Sequence, residues 1–231
     1  MKNKRNQLLI IVGVVAVVAL IFIVVIANSG QSTTYSTDYA TLPQSRTEDG
    51  AYVLGNPDAP ITVVEFADWA CPHCQEYRST IERFIAEYVA TGLAKFEFRV
   101  FPTAGGNLTV FAGQMADCAE NQQEGSFWRA YPILYRLAET GQYSEDLGRD
   151  LASQLGVNYS EMLTCGSEES NRVSADIAFG QARGVSGTPS VMVRINDGDA
   201  QWFTPSGLSA NAENRQLPTF DMLAALVNSA S

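Results

Sequence analysis

Cys71 and Cys74, in the run Cys71-Pro72-His73-Cys74, are the residues of this sequence whose types and spacing best suit chemistry. When such a pair opens a helix, both side chains lie on one side of its first turn. Pro72 suits the first helical position, where no amide donor is missed. Cys71 then sits at the cap, facing the free N–H groups of His73 and Cys74. These donors and the helix dipole stabilise a thiolate, the attacking species in disulfide exchange. Cys74, one turn in, is expected to be shielded and to act as the resolving thiol. An imidazole at His73 beside Cys71 would lower the thiol pKa further and stabilise the dithiol, which makes the disulfide a stronger oxidant. A lone histidine is ordinarily a surface or satisfied core residue; its place between two cysteines at a helix start favours a functional role.

Other uses of a CxxC pair fit less well. Structural zinc takes four ligands, and the chain has no second CxxC and no histidine besides His73, so no metal site is expected. Covalent haem needs a histidine directly after the second cysteine, where Gln75 stands. A purely structural disulfide inside CxxC would close a tight, strained loop.

The pair lies between a strand signal and a helix signal. The β-branched run 61–66 reads as a buried strand. Positions 71–90 carry Tyr77, Ile81, Phe84, Ile85 and Tyr88 on one helical stripe, ended by Gly92. Positions 94–101 alternate, with Phe96, Phe98 and Val100 on one face. Strand, helix and strand with a short return imply a parallel pair and a right-handed crossover. Apolar stripes then mark several helices between 107 and 183. Strand character returns at 190–195 and 201–204, and 217–227 reads as a closing helix.

Residues 1–7 hold Lys2, Lys4 and Arg5, and 8–27 follow without a charge. Twenty apolar residues span roughly 30 Å as a helix, the thickness of a bilayer core. Basic residues ahead of the run favour a cytoplasmic N-terminus with the remainder exported across the cell membrane. A cleaved signal peptide is the alternative; its apolar region is usually shorter, so an uncleaved single-pass anchor is the expectation. Residues 28–49 read as a polar linker and 50–231 as the globular domain. The formal net charge is −10, with all 25 acids after the apolar run. So acidic an exported domain is a poor partner for nucleic acid.

The segment Val63-Val64-Glu65-Phe66-Ala67-Asp68-Trp69-Ala70-Cys71-Pro72-His73-Cys74 resembles the active-site strand and helix start of the thioredoxin superfamily, in particular its DsbA-like branch. Gly184-Val185-Ser186-Gly187-Thr188-Pro189-Ser190 is similar to that superfamily's cis-proline loop. The resemblance covers about residue 50 onward. It implies an α/β thioredoxin-like fold with an inserted all-helical subdomain at about 105–183, preceded here by one transmembrane helix. It further implies Cys71 as nucleophile, Cys74 as resolving cysteine, and Trp69 and Pro72 in the active-site loop. Pro189 would be cis, with Thr188 offering its backbone to substrate. Glu65 matches the buried acid that moves protons to and from the second thiol; the bland reading of Glu65 is an ion-paired edge carboxylate. No cofactor is implied beyond the Cys71–Cys74 disulfide.

The activity so implied is a thiol–disulfide oxidoreductase, acting as a monomer and passing a disulfide to newly exported or unfolded proteins through a mixed disulfide on Cys71. A quinone-linked membrane partner, DsbB-like or VKOR-like, would recharge it. Two alternatives stand beside it: a reductase or isomerase of the same fold, and a non-enzymatic exported chaperone. Cys118 and Cys165 complete an even count of four cysteines. They are expected to form a structural disulfide, with a second redox shuttle as the alternative.

Overall fold

The residues Ile61–Ala67 are all buried and form the central strand β3 of a seven-stranded sheet. β-Branched and aromatic side chains suit a strand packed on both faces. The computed structural model describes residues 37–168 and 172–230. The expected tail at 1–7, span at 8–27 and linker residues 28–36 lie outside them. Among the described residues no helix is long and apolar enough to cross a membrane.

Strand β4, Ala94–Val100, runs parallel to β3, pairing Val63 with Phe96 and Glu65 with Phe98. Parallel neighbours need a crossover, which helix α1, Pro72–Phe84, supplies. Its buried stripe is Cys74, Tyr77, Ile81 and Phe84. The helix widens to π pitch over Ile85–Val89, and the chain turns at Gly92 with φ +81°. Strand β5, Ser190–Ile195, pairs antiparallel with the other side of β3, and β6, Gln201–Thr204, follows it. Helix α7 is Phe220–Ala230.

Three strands carry no clear sequence signal. β1, Gln44–Arg46, and β2, Tyr52–Gly55, extend the sheet beyond β4, and β7, Gly207–Ser209, extends it beyond β6. The expected linker is therefore partly folded: Asp38 caps a 3₁₀ turn at Tyr39–Thr41, and the Tyr39 ring lies 5.7 Å from that of Tyr131. A three-residue polar edge strand is ordered by backbone pairing, to which hydrophobic periodicity is blind.

Between β4 and β5 come α2 (Asn107–Gln122), α3 (Ser126–Glu139), α4 (Leu147–Leu155), α5 (Tyr159–Glu168) and α6 (Arg172–Ala182). α6, expected inside the insert, lies on the sheet instead. Its Ile177 and Phe179 pack with Val64, Phe66, Met192 and Trp202. The opposite face of the sheet presents Val63, Phe96, Phe98 and Val193 to the main core, which also holds Cys74, Ile81, Trp128 and Tyr131. By the alternation of β3, Glu65 belongs to that second face, the one beneath α1.

Candidate active site

Strand β3 ends at Ala67, and Asp68, Trp69 and Ala70 carry the chain to Cys71, the N-cap of α1. Cys71 has extended backbone angles, φ −76° and ψ 120°, and Pro72 follows at the first helical position. The carbonyl of Cys71 accepts from the amides of Cys74 (3.0 Å) and Gln75 (3.1 Å), which starts the helix. Both active-site cysteines are free thiols.

The two sulfurs meet different surroundings. The Cys71 thiol is 5% exposed and donates to the Thr188 carbonyl at 3.4 Å. Burial pushes its pKa up. The Thr188 side chain, the backbone and thiol of Cys74 and the His73 backbone outweigh that, so the thiol is held below the ordinary cysteine value. Cys74 has no exposure, and burial, reinforced by the nearby Glu65 charge, pushes its thiol well above that value. One sulfur is therefore poised to attack and the other to keep its proton.

Glu65 lies fully buried, neither carboxyl oxygen has a hydrogen-bond partner, and burial pushes its pKa up to about 8. It is not the ion-paired edge carboxylate of the bland reading. The Thr188–Pro189 peptide bond is cis. Trp69 is buried, its ring 5.3 Å from that of Phe98, and its carbonyl accepts from the Gln75 side chain at 3.0 Å.

His73 follows Pro72 in the first turn of α1. Its side chain is 79% exposed, and Nδ1 faces Glu76 Oε2 at 3.5 Å. In the first turn of α1 the side chain at this position leans outward to solvent, and the backbone of His73 is what acts on the Cys71 sulfur.

A cleft of about 400 Å³ opens beside the pair, lined by His73, Glu76, Tyr77, Thr188, Pro189 and Leu217, among others. Leu217 is one of the exposed large apolar residues.

Three further residues shape the site. The buried carboxylate of Asp68 accepts from the amides of Ala70 (2.9 Å), Thr103 (2.7 Å) and Gly105 (2.9 Å) and from the hydroxyls of Thr109 and Thr103. It ties the cysteine loop to the loop after β4 and to the start of α2. Gly105 is needed there, because a Cβ would strike the Thr109 hydroxyl and crowd Ala70 and Asp68. Thr103 reaches across to Thr188, their hydroxyls 2.6 Å apart. A lone acid just past a buried strand, and a Gly-Gly pair after the next, were the available sequence signals. Thr103 has none, since it reaches the site only through chain folding.

Cys118 of α2 and Cys165 of α5 are disulfide-bonded, with Cα atoms 5.8 Å apart. Among the described residues, no three His, Cys, Asp or Glu side chains converge on a metal-sized site.

Comparison with known proteins gives the following. The model of the family described as thioredoxin matches residues 47–204. The probable disulfide bond formation protein D of Bacillus cereus is 30% identical over 151 residues, covering 62% of this chain and 69% of that protein. The Na(+)/H(+) antiporter NhaA 3 of Salinispora tropica is 28% identical over 152 residues, but this chain spans only 22% of its length. In structure, α-DsbA1 of Wolbachia pipientis superposes with a TM-score of 0.63, covering 84% of this chain and 96% of that one. At 17% identity that likeness speaks for the fold.

Proposed function

This chain belongs to the thioredoxin family, and from that premise we propose that it is an extracytoplasmic thiol–disulfide oxidoreductase of the DsbA-like kind, donating a disulfide from Cys71–Cys74 to exported proteins. The observation that carries this reading is the asymmetry of the pair: Cys71 is held below, and Cys74 above, the ordinary thiol value. A stabilised Cys71 thiolate favours the dithiol form, and a favoured dithiol makes the disulfide an oxidant. A substrate thiolate attacks Cys71 Sγ, and Cys74 leaves with a proton from its surroundings. The second substrate thiolate then attacks the substrate sulfur of the mixed disulfide and releases Cys71 as thiolate. The substrate leaves oxidised and the pair stays reduced, to be reoxidised by a quinone-linked, DsbB-like or VKOR-like membrane partner. Residues 8–27 anchor the enzyme beside that partner.

The name of the Bacillus cereus relative, disulfide bond formation protein D, supports the oxidative direction. Equilibrating the pair against glutathione tests it. A potential near about −120 mV is expected, and one near about −270 mV would make the protein a reductant. In oxidative refolding of a reduced substrate, Cys71→Ala should be inactive; full activity would instead assign a chaperone. Cys74→Ser should accumulate the mixed disulfide. The anchor predicts a full chain that keeps its N-terminal mass and leaves membranes only with detergent.

A further inference from the structure

The hydroxyls of Thr103 and Thr188 lie 2.6 Å apart, on the side of the site that carries the Cys71 contact of Thr188. Each hydroxyl has one proton to give, so which way the pair points is set by its neighbours. Thr103 has two possible acceptors, Thr188 Oγ1 at 2.6 Å and Asp68 Oδ2 at 3.3 Å. Asp68 does not depend on the Thr103 hydroxyl. Its Oδ2 already takes the amides of Thr103 and Gly105 at 2.7 and 2.9 Å, and its Oδ1 takes Ala70 N and the Thr109 hydroxyl. Thr188 in turn offers Cys71 two groups. Its carbonyl accepts from the protonated thiol at 3.4 Å, and its side chain favours the ionised form of that sulfur, as it does for Cys74.

We propose that Thr103 is a positioning residue for Cys71: its hydroxyl donates to Thr188 Oγ1 and thereby turns the Thr188 proton toward the sulfur when the sulfur is ionised. When Cys71 is protonated or disulfide-bonded, the pair reverses. Thr188 then donates to Thr103 Oγ1, and Thr103 donates to Asp68 Oδ2. Asp68 holds Thr103 in place through its amide in both states, so only two hydroxyl rotations accompany a change at the sulfur. Preorganised donors aimed at a developing charge are effective because little has to move. The proposal rests on the reading of Cys71 as the nucleophile.

The test uses the full reduced chain with Thr103→Val, Thr103→Ser and Thr109→Val. Thr103 is exposed at the surface, so valine strands no buried donor there. The Cys71 titration is followed by thiolate absorbance, and the pair is equilibrated with glutathione. Thr103→Val should cut the thiolate fraction on the acid side by about threefold or more and shift the glutathione equilibrium toward the disulfide by a similar factor. Thr103→Ser should stay within about twofold of the unsubstituted protein. Thr109→Val removes a hydroxyl from the same carboxylate without touching Thr188; it should lower the melting temperature and leave the Cys71 titration in place. A low Cys71 titration that Thr103→Val does not move overturns the proposal alone, as does an equal shift from Thr109→Val. An unsubstituted Cys71 that titrates like a free cysteine overturns the parent reading and the proposal with it.

Discussion

Burial raises both Cys71 and Cys74 but weighs more on the deeper Cys74, and the groups around each sulfur widen the difference. The Thr188 side chain favours ionisation of both; Cys71 has the helix-start amides besides, while Cys74 has the Glu65 carboxyl near it. Glu65 is itself a pH-dependent liability. Its folded value of about 8 stands above the 4.5 of an ordinary glutamate, through burial. Between those values the folded protein holds a proton that the unfolded chain has released. Stability from this group is therefore complete below about pH 4.5, falls as pH rises, and levels off above about pH 8. The total drop is at most about 5 kcal/mol. Asp176, raised by burial to about 6, contributes with the same sign only up to that point. The slope of unfolding free energy between about pH 6 and about pH 8 should accordingly flatten in Glu65→Gln, and an unchanged slope in denaturant titrations would assign it to another group. At this scale the cysteine pair was legible from residue type and its place at a helix start, whereas Glu65 was reached only through the family resemblance. The exposure of the His73 ring was not legible, because spacing says which residues share a turn, not which way a ring leans.

Elements bring the reactive loop to its shape through Asp68, which joins the end of β3 to the loop that opens α2. Gly105→Ala puts a methyl group against Thr109, Ala70 and Asp68. Overpacking of this kind costs about 1–3 kcal/mol, and the strain falls on Ala70, next to Cys71. Thermal unfolding should show the loss of stability, and single-turnover oxidation of a reduced peptide should slow with it. A variant as stable and as fast as the unsubstituted protein would remove the close-approach argument. The Cys118–Cys165 bond acts elsewhere, clamping α2 to α5 across 47 positions of sequence. Removing it with Cys118→Ala and Cys165→Ala together should cost about 4 kcal/mol in the chain-entropy account and leave the glutathione equilibrium of Cys71–Cys74 unmoved. A shifted equilibrium would instead tie that bond to the active pair. β3, α1, β4 and the helices α2, α3 and α4 were legible from periodicity, since each has a buried stripe or run. β1 was not, because Gln44, Ser45 and Arg46 are partly or fully exposed and the strand is defined by its pairing with β2.

Across the whole molecule the two faces of the sheet do different work. One carries aromatic and aliphatic side chains and the single carboxyl of Glu65 beneath the catalytic helix. The other buries an ionic network under α6. Arg99, 1% exposed, bonds Glu97 (2.6 Å), Asp49 (2.7 Å) and Asp176 (3.2 Å), and its guanidinium lies 3.6 Å from the centre of the Phe179 ring. Arg194 reaches Glu97 at 2.6 Å, and Arg172 pairs with Asp176. Alternation in β4 places Phe96, Phe98 and Val100 together, which leaves Lys95, Glu97 and Arg99 on the opposite face. That α6 covers Glu97 and Arg99 is a tertiary event, decided by a helix more than 70 positions away, so no local pattern could report it. The consequence is measurable. Arg99→Met removes the partner of Glu97 Oε1, with Arg194 still on Oε2, and loosens the hold on Asp176; breaking a buried pair from one side costs up to about 3–5 kcal/mol. Because the network lies across the sheet from Cys71 and Cys74, the loss should appear in urea unfolding and leave the glutathione equilibrium of the folded protein unchanged. Comparable stability in Arg99→Met would mean that the remaining arginines satisfy the acids alone. A shifted equilibrium at native stability would mean that the ionic face reaches the cysteines through β3.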